Sequence, residues 1–163
     1  MVGLFGDADV LRFTRLPDPV PDRYEREWLA RYEDGRRDGS REAFAAVDGD
    51  GAFLGLALAP EIDREAGEAE LGYVVAPAAR GRGVATEMLR ALTAWALDEL
   101  GLVRLTLIID AENPASKRVA ERCGYELEGV MRSVYLKQGR RIDAELWALV
   151  RRTPRAPGPA PSG

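Results

Sequence analysis

The stretch EAELGYVVAPAARGRGVAT, residues 68–86, carries most of the information about the fold. Glu68–Val75 is apolar and partly β-branched, and it predicts a strand that ends before a proline. Gly81 and Gly83 permit a sharp turn, because glycine adopts positive φ without steric penalty. A helix is predicted to begin at Val84, so the stretch reads as strand, turn and helix.

The start of this helix is a candidate site for a phosphate or pyrophosphate. The first amides of a helix are unpaired and lie at the positive end of the helix dipole. Arg80 and Arg82 add cationic donors beside them. The alternative is a plain surface loop with two solvated arginines. The lysine of a Walker loop is missing, and so is the full dinucleotide fingerprint, so a phosphate-transferring NTPase is not indicated.

Apolar periodicity and turn residues predict the other elements. In chain order these are a helix over Pro21–Arg37, strands over Glu42–Val47 and Phe53–Ala59, an acidic loop over Pro60–Gly67, a helix over Val84–Leu100, a strand over Val103–Ile109, a helix over Pro114–Arg122, and strands over Tyr125–Val130 and Arg141–Val150. This order predicts a mixed α/β fold of the α+β type, with a strand–helix–strand crossover at its centre. The tail over residues 153–163 is rich in proline and glycine and predicts a disordered end.

Composition excludes several classes of chemistry. The 163 residues include no histidine and one cysteine, Cys123, so histidine-dependent triads, zinc clusters and internal disulfides are excluded. A net charge of −4 argues against nucleic acid or an anionic membrane as the main partner. Met1–Phe13 does not resemble a signal peptide, and the apolar stretches are too short to span a bilayer. We therefore expect a cytoplasmic protein without a metal, whose Cys123 is a small buried residue and not a nucleophile.

Three motifs in order resemble the GNAT superfamily of acyl-CoA-dependent N-acetyltransferases. Arg80–Ala85 is similar to the Arg/Gln-x-x-Gly-x-Gly/Ala signature of that family, and Glu70–Val75 is similar to its fourth strand. Asn113–Ser116 and Ala120–Tyr125 resemble the corresponding segment of the Rim-type branch, which acetylates the amino termini of ribosomal proteins. The resemblance covers roughly residues 40–150.

The resemblance implies a fold and a cofactor site. It implies one domain over residues 1–152, with a mostly antiparallel twisted sheet, a splayed parallel strand pair, and helices on both faces. The pantetheine arm of acetyl-CoA would lie between the splayed strands and pair with main-chain groups like an added strand. The cofactor-binding residues implied are Tyr73, Val74, Val75, Arg80, Gly81, Arg82, Gly83, Val84, Ala85, Thr86, Asn113 and Ser116. Taken alone, Asn113 is more typical of a simple helix cap, and Ser116 can be a solvated hydroxyl in the first helical turn.

The reaction implied is direct attack of a neutral primary amine on the thioester, through a tetrahedral intermediate. Glu70 is the candidate general base, although a solvent-facing strand glutamate is an equal reading; Asp110 and Glu112 are weaker candidates. A backbone N–H of residues 73–75 is the candidate oxyanion donor. Many family members carry a tyrosine that acts as the general acid at the position of Ala120. Since it is missing here, Ser116 is the candidate general acid, with Tyr135 as an alternative.

Acceptor and assembly are less constrained by the sequence. Residues 61–70 hold five carboxylates and one arginine, which favours a cationic small-molecule or peptide amine if this segment borders the acceptor site. Relatives begin with an edge strand that is shortened or missing here, and pairing of two exposed edges would make a homodimer. Two other functions remain open: a non-catalytic acyl-CoA-binding sensor or interaction module of the same fold, and an α/β protein that binds another nucleotide.

Overall fold

A six-stranded sheet with helices on both faces makes up the computed structural model, which describes residues 4–151. The strands are β1 (Glu42–Val47), β2 (Phe53–Asp63), β3 (Glu68–Val75), β4 (Arg104–Asp110), β5 (Glu126–Lys137) and β6 (Arg140–Val150). The helices are α1 (Ala8–Phe13), α2 (Tyr24–Asp38), α3 (Val84–Ala94) and α4 (Pro114–Arg122). The tail predicted over residues 153–163 lies outside the described residues.

The order of strands across the sheet is β1-β2-β3-β4-β6-β5. Every neighbouring pair is antiparallel except β3 and β4, which are parallel and joined by the crossover helix α3. A tight turn reverses the chain and makes the next strand antiparallel, so two parallel neighbours need a longer crossover connection. The mixed fold with one parallel pair is therefore confirmed.

Strands β3 and β4 separate part-way along their length. Their pairing covers only three positions, from Glu68 with Arg104 to Glu70 with Thr106. Beyond that point β3 still pairs with β2 as far as Val75, and β4 still pairs with β6 as far as Asp110. The gap thus opens between two strands that are each held in place from their other side.

Main-chain groups of β3 face this gap. The N–H of Ala76 bonds to the carbonyl of Leu54 on the β2 side at 2.8 Å. Since successive residues of a strand direct these groups to opposite sides, the N–H and C=O of Tyr73 and Val75 face β4. The separation of the strands leaves them available to an extended ligand.

Two apolar cores cover the two faces of the sheet. One lies under α3 and α4 and includes Leu89, Leu105 and Trp147. The other lies under α1 and α2 and includes Trp28 and Leu56. Neighbouring residues of β3 divide between them, since Tyr73 packs against the first core and Val74 against the second. Both faces of β3 are therefore covered where the strand borders the opening.

Strand β2 is longer than the sequence pattern predicts. The acidic loop expected over Pro60–Gly67 is wrong for its first half, because β2 continues to Asp63. The register between β2 and β3 shifts between Leu58 and Glu61, and Pro60 lies at this irregularity. A bulge tolerates proline because the extra residue is left out of the hydrogen-bonded ladder.

The last two strands form a long hairpin. The expected strand over Tyr125–Val130 is too short, because β5 runs to Lys137 and pairs with β6 from Arg140. The turn between them consists of Gln138 and Gly139, with φ of +48° and +72°. Two positive φ values match the two-residue turn that suits the twist of a hairpin. The sequence analysis did not predict this hairpin turn, because a single glycine after a glutamine is a weak turn signal.

The helices also differ from expectation at their ends. The helix expected over Val84–Leu100 is α-helical only to Ala94, and a π turn over Trp95–Glu99 completes it. The helix expected from Pro21 begins at Tyr24 and ends at Asp38. The amino-terminal segment contains the short helix α1, which periodicity missed because it is only six residues long. Its N-cap is Asp7, whose side chain accepts from the N–H of Val10 at 3.0 Å.

Candidate active site

A cleft of about 520 Å³ lies between the separated strands and the start of α3, and we call it the α3 cleft. Its wall on the sheet side is the diverging part of β3 and β4, over residues 71–75 and 107–110. The loop before α3 and the first residues of α4 close its other side. Of the predicted cofactor residues, the cleft is lined by Tyr73, Val74, Val75, Arg80, Gly81, Gly83, Val84, Ala85, Thr86, Asn113 and Ser116.

The amino terminus of α3 presents free amides to this cleft. Gly81 and Gly83 have φ of +74° and +81°, so both need the conformational freedom of glycine. The N–H groups of Thr86 and Glu87 both bond to the carbonyl of Gly83, and no side chain caps the helix. Those of Val84 and Ala85 have no acceptor among the described residues, which makes this end of α3 suited to an anion.

Arg80 is engaged by α1 in a way that sequence reasoning missed. Its guanidinium bonds to Asp7 at 2.5 Å and to Asp9 at 3.1 Å. The hydrogen bond from Arg80 holds the pKa of the Asp7 carboxyl below its usual value. Binding of a pyrophosphate by Arg80 stays a prediction, and it would have to compete with these two carboxylates. Arg82 is exposed and does not line the cleft.

Two predicted residues lie at the start of α4, where this helix lines the cleft. The side chain of Asn113 accepts a hydrogen bond from the N–H of Ser116 at 3.1 Å, so Asn113 caps α4, as its place before the helix predicts. The hydroxyl of Ser116 is hydrogen-bonded to the phenol of Tyr73 at 2.8 Å. Burial raises the pKa of Tyr73 to about 12, so the phenol stays neutral and can donate. Ser116 is therefore not a solvated surface hydroxyl.

A second cavity, of about 780 Å³, lies on the other face of the sheet, and we call it the α2 cavity. It is lined by α1, the segment after it, α2, β3 and the hairpin of β5 and β6. The residues that line both cavities are Val10, Phe13, Thr14, Leu71, Gly72, Tyr73, Val74, Ile108 and Asp110. The two cavities thus meet at the opening between β3 and β4.

Glu70 lies where this opening begins. It is the last residue of β3 that pairs with β4, and it lines the α2 cavity. Its side chain is 16% exposed and accepts from Arg15 at 2.5 Å, so it is not the solvent-facing strand glutamate of the alternative reading. Arg15 also lies over the ring of Tyr135, at 5.2 Å from its centroid. No sequence signal links Arg15 to Glu70, which is 55 positions away.

The weaker catalytic candidates fall in different places. Asp110 lines both cavities, and its carboxylate accepts from the N–H of Glu112 at 2.7 Å. Glu112 lines neither cavity; it is 56% exposed and paired with Arg12. Tyr135 lines only the α2 cavity, and burial raises the pKa of its phenol.

Cys123 lines neither cavity, and it is half-buried where the sequence predicted a buried residue. Its thiol donates to the carbonyl of Thr86 at 3.6 Å. Burial raises the pKa of the thiol, which disfavours the nucleophilic thiolate.

Most of the acidic segment over residues 61–70 lies away from the α2 cavity, contrary to the expectation from the sequence. Of residues 60–70, only Pro60 and Glu70 line the cavity. The other carboxylates lie on the part of the β2–β3 hairpin where β3 is still paired with β4. Within residues 4–151, no three His, Cys, Asp or Glu side chains are grouped to hold a metal ion. No helix in that range is long and apolar enough to cross a membrane.

Comparison with known proteins identifies the family of this chain. A family model described as an acetyltransferase (GNAT) domain matches residues 1–126. The chain belongs to the GNAT acetyltransferase family. It is accordingly an acyl-CoA-dependent N-acetyltransferase, as the resemblance of the three motifs indicated.

Relatives of this acetyltransferase are diverse. It is 30% identical to the "Putative ribosomal N-acetyltransferase YdaF" of Bacillus subtilis, over 89% of the chain and 72% of that protein. It is 26% identical to the L-amino acid N-acetyltransferase AaaT of Escherichia coli, over 81% of the chain and 80% of that protein. Two other Bacillus relatives are matched over only 47% and 51% of their own length.

The fold of this acetyltransferase is also found among solved structures. A mutant of the spermidine N-acetyltransferase SpeG from Vibrio cholerae superposes with a TM-score of 0.71 at 24% identity. The superposition covers 76% of this chain and 73% of that one. At this identity the likeness establishes the fold only.

Proposed function

We propose that the protein transfers an acetyl group from acetyl-CoA to the primary amine of a small molecule or a peptide. One observation carries the proposal: the α3 cleft and the α2 cavity meet at the opening between β3 and β4. A donor that enters from one face of the sheet and an acceptor that enters from the other would meet there. Their approach from opposite faces lets each be bound without blocking the other.

The residues of the α3 cleft fit coenzyme A. The free amides of Val84 and Ala85 suit its pyrophosphate, because they lie at the positive end of an 11-residue helix. The main-chain groups of Tyr73 and Val75 suit its amide-containing arm, which would add to β3 as an extra strand. When bound, acetyl-CoA supplies the thioester that is the acyl donor.

Glu70 and Ser116 are the proposed catalytic residues. The amine must lose a proton before it attacks, and Glu70 is the carboxylate at the acceptor side of the opening. Because Arg15 competes for the same carboxylate, Asp110, which lines both cavities, is the alternative base. Ser116 lines the cleft with its hydroxyl held by Tyr73, and it is the proposed proton donor to the leaving thiolate.

A panel assay tests the proposal. Release of the free thiol of CoA is measured with acetyl-CoA and a set of amines: amino acids, polyamines, aminoglycosides and short peptides. We expect turnover of at least one amine, and loss of most of that turnover in Ser116→Ala. Tight binding of acetyl-CoA without thiol release for any amine would instead identify an acyl-CoA-binding sensor or interaction module.

We also propose that the protein is a cytoplasmic homodimer. The single thiol of Cys123 requires no oxidising compartment. Strand β1 forms one edge of the sheet, and its Phe44 and Val47 are 39% and 57% exposed. An exposed apolar edge favours pairing with a second copy. Light scattering at increasing protein concentration tests the oligomeric state, and a monomer at all concentrations would refute the homodimer.

A further inference from the structure

The α2 cavity is basic although the chain as a whole is acidic. The chain has a net charge of −4. The ionisable side chains that line the cavity, tyrosines aside, are Arg12, Arg15, Arg31, Arg41 and Lys137 against Asp18, Glu70 and Asp110. This excess of two positive charges is the opposite of what a site for a polyamine requires.

Three of the five cations are already engaged. Arg15 pairs with Glu70 at 2.5 Å, and Arg12 pairs with Glu112 at 3.3 Å. The ammonium of Lys137 donates to a backbone carbonyl, and burial lowers its pKa. The remaining two, Arg31 and Arg41, form no ion pair with any residue between 4 and 151.

The side-chain stem of Arg41 packs directly against Gly35 of α2. A Cβ at Gly35 would lie 2.5 Å from the Cβ and 2.8 Å from the Cγ of Arg41. Only glycine lets the stem of Arg41 pass at this point, although glycine is among the least favourable residues inside a helix such as α2. The N–H of Arg41 also bonds to the carbonyl of Gly35 at 3.2 Å. The fold therefore fixes the course of an arginine whose charge has no partner in the part of the chain that the structure describes.

Arg31 and Arg41 belong to one part of the cavity. Burial raises the pKa of Tyr32, a buried residue of α2 that lines the same cavity, to about 12, and the positive charges of Arg41 and Arg31 are among those that oppose this shift. The guanidinium of Arg31 lies 5.3 Å from the ring centroid of Tyr24, so these two side chains form a cation–π contact. Two guanidinium groups held in this way match a carboxylate or a phosphate, which accept paired hydrogen bonds from arginine.

We propose that the acceptor amine also carries an anionic group, a carboxylate or a phosphate, which binds to Arg41 and Arg31. The amine of the same molecule then points to the opening between β3 and β4. This inference rests on the proposed function, because it names the substrate class of that acceptor site. It excludes a simple polyamine as the preferred acceptor.

Pairs of acceptor amines that differ mainly in their anionic group isolate the contribution of that group to kcat/KM. We would measure kcat/KM for alanine against alaninamide, for aminoethyl phosphate against ethanolamine, and for spermidine. Loss of a hydrogen-bonded charge pair should reduce kcat/KM at least about tenfold for the member of each pair that lacks the anionic group. The ammonium of alaninamide is the more acidic, so a preference for alanine cannot arise from a larger fraction of free amine. The pair that shows the preference identifies the anion as carboxylate or phosphate.

A variant pair locates the effect. Arg41→Gln should lower kcat/KM about tenfold for the anionic acceptor and leave the partner that lacks the anionic group within twofold. Arg37→Gln is the matched control, because Arg37 lies near the end of α2, shortly before Arg41, but is 72% exposed, pairs with Asp34, and does not line the cavity. It should change neither value.

The outcomes distinguish this inference from the proposed function. Turnover of spermidine, or of the amines that lack an anionic group, at rates equal to those of the acceptors that carry one overturns the inference while the acetyltransferase function stands. An equal loss for both members of a pair in Arg41→Gln, with an unchanged melting temperature, also overturns it. Binding of acetyl-CoA without turnover of any amine refutes the proposed function, and the inference with it.

Discussion

A carboxylate placed at Gly83 should weaken CoA binding far more than an amide placed there. The position has φ of +81°, and a Cβ built on it meets nothing within 4 Å. Aspartate and asparagine both tolerate this conformation better than other residues, and both can cap a helix. Gly83→Asp and Gly83→Asn therefore share strain, size and competition for the free amides, and they differ only in charge.

The charge alone supplies a large effect. Two phosphate charges at about 6 Å from the carboxylate, with an effective dielectric constant of about 40 for a partly hydrated cleft, repel it by about 3 kcal/mol in total. This corresponds to about a hundredfold weaker binding of CoA to Gly83→Asp than to Gly83→Asn. Raising the ionic strength to about 1 M shortens the screening length to about 3 Å, so the ratio should shrink markedly.

Calorimetric titration with CoA at low and high salt measures both effects. Melting temperatures of the two variants should agree, which controls for folding. If both variants bind CoA equally at low salt, the pyrophosphate does not lie at the start of α3. The assignment of the α3 cleft to the donor would then fail.

Three further changes probe other parts of the site. Tyr73→Phe removes the hydrogen bond to Ser116 but keeps the main chain of β3, so kcat should fall about tenfold while the Kd for CoA changes less than twofold. Asp9→Asn removes one carboxylate that holds Arg80 beside the cleft, so CoA should bind about threefold more tightly in titrations at low salt. Gly35→Ala should lower the free energy of unfolding by about 1–3 kcal/mol in urea titrations, because its methyl group overlaps the stem of a neighbouring arginine.

Each change has its own control. For Tyr73, kcat should fall in Ser116→Ala as well, and a double variant with additive losses would show that the two hydroxyls act independently. For Asp9, the 65% exposed side chain makes a folding defect unexpected, and weaker CoA binding would contradict the competition. For Gly35, the comparison is Gly129→Ala on β5, where a Cβ meets nothing within 4 Å; equal destabilisation would refute the steric argument.

Local features of the site were predictable from the sequence. The loop over residues 77–83 and the start of α3 depend on glycine, proline and helix periodicity within a few positions. Asn113 as the cap of α4 follows in the same way from its place before Pro114. Errors occurred where a local signal was overruled by neighbouring strands, as at Pro60, where the bulge in β2 tolerates proline.

The sequence alone determined the family, the glycine loop and the order of elements around one parallel crossover, because these are encoded by residues close together in the chain. The charge of the α2 cavity, in contrast, follows from the packing of the folded chain. Arg15 reaches Glu70, and Asp7 reaches Arg80, across 55 and 73 positions. Such pairs depend on how α1 and α2 pack on the sheet, and that packing leaves Arg41 without an ion pair to any residue between 4 and 151. Side chains that meet only after folding leave no periodic pattern in the chain.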